Sequence, residues 1–355
     1  MAHNPMGTDP TDDENDPIFN ATTQKRNVVD PRTGLFEVYV PLPSLTGNAG
    51  NGPVIEMSLH NTPVVNNEAA LGDGWFYAMT TYSEKHKKLT MHSGEVLTVE
   101  KDKDLKQSAV IAQWNNGKLT VHRKGGRKEV LVLLPDTGIY VPESLTTDGY
   151  NSVTLSWMTT AHVIGGATYY QIQLTEIRDA TRSLLKVQYT PGDPAATPVI
   201  SSATLTFWPD DAAETLSYSL AIENYALKSV SLAADIKSSF EYLDHPTCGW
   251  LLTNITSFDG LQEQVEYQDN GLTFPDNPKL SALPCVSTHT LTPNGGGTPV
   301  VTTYVYQRQD PDHYRTIMSE GVPAIRTTTY NYNEQHNVTS EVLVQGAAQT
   351  QKNTR

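Results

Sequence analysis

Cysteine is nearly absent. Among 355 residues there are two, Cys248 and Cys285, too few for a disulfide framework and unable to supply a four-cysteine zinc site. Both read as reduced thiols. Charge is sparse as well: charged residues make up 18% of the chain, and the formal net charge is −14. Lys and Arg are the scarcer sign, and nucleic-acid binding needs them to displace counterions, so nucleic acid is excluded as a general partner. No apolar run approaches the ~20 residues that cross a bilayer as a helix. The first stretch, MAHNPMGTDPTDDENDP, lacks the basic start and apolar centre of a secretory signal. Long amphipathic helical periodicity is also missing.

What is present suits strands and turns. There are 17 Tyr, 22 Pro and 24 Gly, with Thr, Ser, Asn and Gln supplying the polarity. Residues 1–26 are acidic and almost free of large apolar groups. They read as a disordered tail, because they bury too little to offset ordering entropy. Beyond them most segments alternate with period two. GLFEVYVPL sets Phe36, Val38 and Val40 on one face. Asn116-Gly117 is a hairpin turn before GKLTVHRK, with Leu119 and Val121 on one side. In VSLAADIKSSFEYL the residues Val230, Leu232, Ala234, Ile236, Phe240 and Tyr242 all fall on even positions, which predicts a strand. The fold class expected is all-β, built of antiparallel strands and hairpins.

One stretch echoes another. LTEIRDATRSLLKVQYT starts at Leu174 and LTNITSFDGLQEQVEYQ at Leu252, so Leu174 and Tyr189 reappear as Leu252 and Tyr267 without a gap. Polar turns, Asp179 to Arg182 and Asp259-Gly260, interrupt each copy. A weaker third copy runs from Thr327 to Val344, with its turn near Glu334 to Asn337. Hairpins that cannot bury a face alone stack to do so. On this reading Glu176 and Asp179 flank a turn and are not a catalytic pair.

Candidate chemistry is thin. His86, His92, His313 and His336 are isolated from one another and from the cysteines, so no metal ligand set and no cofactor is expected. In HPTCGW, His245 and Cys248 lie close in sequence, but a nucleophilic thiol needs a placed base and a lowered pKa. A buried Cys before a core Trp is the reading preferred. TPNGGGTP lacks the Lys-Ser/Thr of a phosphate loop. EKHKKLTMH and HRKGGRKE read as solvated hairpin ends, with an acidic partner or cargo surface as the alternative. Trp75, Trp114, Tyr304 and Tyr306 are the candidate carbohydrate contacts, with cross-strand packing as the alternative use of the same rings.

NVVDPRTGLFEVYVPLPSLTGNAGNGPVIEMSLHNTP, from Asn27, followed by LGDGW at Leu71 to Trp75, resembles the start of the shell region in RHS-repeat (YD-repeat) proteins. The Leu-Thr-x-Ile … Val-x-Tyr units at 174 and 252 are similar to that family's degenerate repeats, and TTTYNYNEQHNVTSE to its Tyr-x-Tyr form. The resemblance covers about residues 27–344. It implies part of a curved, spiralling β shell with a polar inner face. The expected division is a tail at 1–26, an RHS N-terminal β region at 27–190, further shell strands or a small β subdomain at 191–249, and repeat hairpins at 250–355 with a frayed C-terminus. The implied function is non-enzymatic: enclosing or presenting a C-terminal toxin. The implied partners are a toxin cargo, the remaining shell and a secretion-machine component. The protein would pass from the bacterial cytoplasm to the outside or the cell surface. A carbohydrate-binding module is the alternative. Asp30 to Leu35, DPRTGL, reads as the first turn of the shell, with Gly34 supplying the unusual backbone angles. A shell fragment would leave open sheet edges, so concentration-dependent oligomers are expected.

Overall fold

The computed structural model describes residues 27–63, 70–147, 151–164, 167–192, 200–246, 248–272, 283–310, 313–333, 337–346 and 348–353; the tail at 1–26 lies outside them. Among the described residues there is no α-helix, and the strands pair antiparallel. The expected fold class is the observed one.

Six short strands come first: Val28–Val29 (β1), Phe36–Pro41 (β2), Leu45–Thr46 (β3), Val54–Ile55 (β4), Ser58–Asn61 (β5) and Trp75–Tyr77 (β6). β1, β2, β5 and β6 form one small sheet, β3 and β4 another. Alternation works as the sequence suggests. Phe36, Val38 and Val40 are buried, while Glu37 and Tyr39 on the other face are half-buried.

Then come Thr81–Ser83 (β7), Lys88–Thr90 (β8), Val96–Thr98 (β9), Leu105–Lys106 (β10), Val110–Asn115 (β11), Lys118–Arg123 (β12), Lys128–Leu133 (β13) and Ile139–Thr146 (β14). β7 joins β14 through Tyr82 opposite Tyr140. This part has a core of its own, with Tyr82, Leu89, Met91, Val121, Leu131 and Tyr140 buried together. The predicted turn after β11 has positive φ at Asn116 (50°) and Gly117 (76°), the conformation that an Asn-Gly hairpin turn requires.

From β14 onward each strand pairs with the next. The strands are Ser152–Ile164 (β15), Ala167–Arg178 (β16), Ser183–Pro191 (β17), Ile200–Phe207 (β18), Leu216–Glu223 (β19), Ala226–Ser231 (β20), Lys237–His245 (β21), Gly249–Thr256 (β22) and Gln262–Leu272 (β23). Leu283–Thr292 (β24), Val300–Asp310 (β25), His313–Glu320 (β26), Arg326–Tyr332 (β27), Val338–Gln345 (β28) and Ala348–Asn353 (β29) complete the run. The sheet does not close on itself. It runs without a break through residue 191 and residue 250.

One expectation is corrected in detail. The even-numbered run from Val230 to Tyr242 is not a single strand. It is the end of β20, a turn, and the start of β21, with Leu232 N–H donating to Ile236 O at 2.9 Å. Val230 and Phe240 are buried on the shared face, whereas Ile236 is 43% exposed. The five residues between the paired Ser231 and Lys237 are an odd number, which preserves the phase of the alternation, so periodicity alone could not locate the turn.

The sheet must bend around something. Residues 27–63 and 70–79 lie against one face of it, called here the inner face. At one end Gly47 approaches Val153 on β15, and at the other Pro31 O accepts from Thr316 Oγ1 on β26 at 2.6 Å. Laid flat, β15 to β26 would span about 50 Å at the usual strand spacing of about 4.8 Å. The small sheet of four strands is about 15 Å across by the same measure. Both contacts are made only because the wall curls around the N-terminal segment. That contradicts the polar inner face implied by the resemblance. Where it is described, the inner face carries Leu174, Leu205, Leu227, Leu252 and Val286, packed with Val38, Leu59 and Trp75 in a single apolar core.

Candidate functional site at the inner face

Six of the irregularities in the ladder bear on how the wall bends and on what the echo in the sequence means. In the β13–β14, β15–β16, β19–β20, β21–β22 and β23–β24 pairs, one strand carries an extra residue: Glu143, Thr175, Lys228, Thr253 and Ser287 respectively. The β27–β28 pair does the same at Thr339. Such bulges locally disrupt the ladder and increase twist. In the first five an inward aromatic donor takes the carbonyl just before the extra residue. Trp157 Nε1 donates to Pro142 O at 2.8 Å, Tyr189 to Leu174 O at 3.1 Å and Tyr242 to Leu227 O at 2.5 Å. Tyr267 donates to Leu252 O at 2.8 Å and Tyr306 to Val286 O at 2.9 Å. The first Leu and last Tyr of each echoing unit are therefore hydrogen-bonded to each other. Bulged hydroxyls add a second link across the pair: Thr175 to Ser156 O at 3.0 Å, Ser287 to Glu266 O at 3.1 Å and Thr339 to Asn331 O at 3.2 Å.

The N-terminal segment plugs into this face at polar points. Asp179, at the β16–β17 turn, accepts N–H groups from Thr181 (2.7 Å), Arg182 (2.8 Å) and Asn48 (2.6 Å). Burial pushes its carboxyl up, but these donors prevail and hold it at about 2. Trp75 Nε1 donates to the Tyr242 hydroxyl at 2.9 Å, which joins the plug to one of the bulge locks. Gly34 N–H closes the Asp30 turn onto Asp30 O at 2.7 Å, and Gly34 O accepts from Val286 N–H at 2.8 Å. A Cβ on Gly34, where φ is +69°, would fall 2.4 Å from Cys285 Cβ. The sequence-based role of Gly34 as a turn residue holds, and it is also a point of close approach.

Buried charges sit where alternation would place apolar groups. Glu263 occupies the position of Leu185 in the echo. It accepts from Asn27 Nδ2 at 2.5 Å and lies 2.8 Å from His289 Nε2. Glu129 is 1% exposed and is bonded by Arg127 Nε at 2.6 Å; Arg127 also donates to Val54 O of the plug at 3.0 Å. His92 stacks into this group, with Arg123 Nη1 2.8 Å from its Nδ1. Burial and then the Arg127 charge lower its pKa to about 4. A cleft of about 300 Å³, including the space open to solvent, lies here between Glu56, Met79, His92, Arg127 and Pro142. Sequence reading missed this cluster. The signal was present in KEVLVL, where Glu129 is in phase with inward Leu131.

The four candidate sugar-contact residues are not brought onto one surface. Trp75 is fully buried, its ring 4.8 Å from Phe240. Trp114 lies in the other core, edge-on to Tyr82 and Tyr140 at 5.3 Å, with Nε1 bonded to Glu100 O at 3.1 Å. Tyr304 is buried and Tyr306 half-buried, stacked with centroids 6.5 Å apart.

Cys285 is buried and its thiol is pushed up by burial to about 12. Cys248 is half-buried and is also raised by burial. Neither shows the lowered pKa of a nucleophile. His245 Nδ1 accepts the Cys248 backbone N–H at 3.3 Å, and Nε2 lies 3.6 Å from Asp269. Among the described residues no group of three or more His, Cys, Asp or Glu is placed to hold a metal ion, and no helix is long and apolar enough to cross a membrane. No protein-family model matches the chain, and no curated protein matches it.

Proposed function

We propose that the protein is a non-enzymatic scaffold: a stretch of β wall of the RHS-repeat kind, whose task is to surround or present another polypeptide, with a toxin cargo as the best-fitting class. The observation that carries this reading is the wrapping of a continuous bulged sheet around the described N-terminal residues, 27–63 and 70–79. A wall that bends around one short segment of its own chain has the geometry to bend around more. The buried polar groups support it. Asp179, Glu263 and Glu129 are each bonded to neighbours that hold the plug or its surroundings in place. Bonds of this kind, which join the plug to the wall, support a role in assembly.

The test is co-expression with whatever coding sequence lies downstream in its genome. Under this reading the downstream polypeptide co-purifies with the chain and resists protease until the wall is unfolded. A downstream product that never associates, together with turnover on an ester or glycoside panel, would replace the scaffold with an enzyme. Binding on a glycan array that is lost on replacing Trp114 would favour the carbohydrate-binding module.

A further inference from the structure

Charge is unevenly placed along the chain. Residues 80–141, which begin just before β7, end within β14 and fold around the second core, hold 11 of the 25 Lys and Arg but 7 of the 39 Asp and Glu. Their formal charge is therefore +4 on a chain of −14, which leaves −18 on everything else. The outer face of β10–β13 gathers part of this excess. Pairing sets Lys106 opposite Ile111, Ile111 opposite His122 and His122 opposite Lys128. Ala112, Val121 and Glu129, each one residue along, are buried on the other face. Lys106 and Lys128 are exposed, as is Lys124 in the adjoining turn. The next row, Gln113, Thr120 and Val130, is uncharged. Neighbouring carboxylates are engaged: Asp104 accepts the Trp114 N–H at 3.2 Å, and Glu143 accepts from Lys118 Nζ at 2.5 Å. Among the described residues neither Lys106 nor Lys128 has an ion-pair partner.

We infer that this basic face is covered by the acidic run of the chain's own N-terminal tail, Asp9 to Asp16. The run carries five carboxylates, Asp9, Asp12, Asp13, Glu14 and Asp16, and no Lys or Arg precedes Lys25. Charge selects the site, because the rest of the chain repels such a run and the β10–β13 face attracts it. Length permits the contact. Asn27 Oδ1 accepts the Tyr39 N–H, β2 leads on to Pro41, and Pro41 pairs with Ser58. Four residues before Ser58, Val54 O is bonded by Arg127, the neighbour of Lys128. With the Arg127 side chain included, that path is roughly 40 Å at about 3.4 Å per residue and about 5 Å per strand step. Asp16 and Asp9 lie 11 and 18 residues before Asn27, and an extended chain of those lengths reaches about 36 and 60 Å. Exposed ion pairs are individually weak, but such a tether holds the run at an effective concentration on the order of mM. The contact is therefore salt-sensitive, and an acidic polypeptide arriving from outside must displace it.

Carbodiimide coupling on the full chain tests this, since it joins a carboxylate to a lysine amine only where the two meet. A mixture of ordinary and isotope-labelled chains separates links within one chain from links between two. At about 20 mM salt, Asp9 to Asp16 should be linked within one chain to Lys106, Lys124 or Lys128, and the yield should fall about fivefold or more at about 500 mM salt. Lys106→Glu combined with Lys128→Glu should lower the remaining link to Lys124 about fivefold, with an unchanged circular dichroism spectrum as the folding control. A fluorescent decaglutamate probe gives a second readout. Neutralising the run (Asp9→Asn, Asp12→Asn, Asp13→Asn, Glu14→Gln and Asp16→Asn) should tighten binding of the probe about fivefold or more, because the tethered competitor is gone. Absence of links within one chain overturns the inference. So do links that fall as often on Lys85, which is exposed at the other end of these strands, near Gly138. Probe binding that neutralisation leaves unchanged also overturns it and assigns the face to a separate acidic polypeptide; a probe that binds neither protein overturns it outright.

Discussion

Asp179 shows what a single side chain can hold. The turn at Asp179 to Arg182 was legible as a turn because Asp supplies its own acceptor two and three residues on. Its third donor, Asn48, comes from 131 residues away, and no local pattern encodes that. Asp179→Ala should destabilise the chain by about 2–3 kcal/mol, as expected when a hydrogen-bonded carboxylate is removed from buried N–H donors; urea unfolding measures it. Three other groups set the pH response near neutrality. Burial lowers His60 to about 4, and burial with the neighbouring guanidinium of Arg127 does the same to His92. Between pH 4 and 6.5 the unfolded chain therefore binds more protons at these two positions, and stability falls as pH falls through that window. Glu37 acts in the opposite sense. Burial first, and then the Asp30 charge, raise it to about 7, so the folded state holds a proton that the unfolded chain has lost, and stability is lost as pH rises from 4.5 to 7. Glu37→Gln should stabilise the protein at pH 8 by on the order of 3 kcal/mol and do little at pH 4. A variant equally stabilised at both pH values would show that packing, and not ionisation, is responsible.

At the scale of elements, the hairpin is the legible unit. Alternation and turn residues gave the strand character of β2, β12, β16, β17, β22 and β23 before any coordinates. The bulges were not legible, because a single extra residue leaves the composition of a strand unchanged. Their chemical trace was nevertheless in view as the recurring Leu and Tyr at the two ends of each echo. The third such lock, Tyr242 on Leu227, has the same 15-residue spacing, but its turn, Leu232 to Ile236, reads LAADI and lacks the run of polar turn residues that marks the other two. Tyr189→Phe and Tyr267→Phe should each cost about 1–2 kcal/mol, since a buried carbonyl loses its donor while the ring still packs. Tyr242→Phe should cost more than Tyr267→Phe, because it also strands the Trp75 indole N–H that the hydroxyl accepts. No measurable loss at any of the three positions would mean that the rings contribute only apolar area.

For the whole molecule, the question is how firmly the plug is seated in the wall. The alternation of Phe36, Val38 and Val40 marked β2 as a strand, but it did not reveal that the N-terminal segment would pack into the core of the sheet that follows it. That outcome depends on long-range matches such as Gly34 with Cys285 and Gly47 with Val153. Cys285 sits under the plug, its thiol directed at Thr33 O at 3.2 Å, and closed in by Gly34 on one side and Gly271 on the other. It can meet a thiol reagent only when the plug lifts. Labelling of the native protein should therefore proceed in two stages, with half-buried Cys248 first and Cys285 far later. Gly34→Ala forces a methyl to within 2.4 Å of Cys285 Cβ at a positive φ, so it should unseat the N-terminal segment and accelerate Cys285 labelling more than tenfold. Cys248 labelling, which reports on the β21–β22 turn, should stay at its wild-type rate. If both thiols accelerate together, the plug and the wall open as one cooperative unit, and the N-terminal segment is then as much a part of the wall as any of its strands.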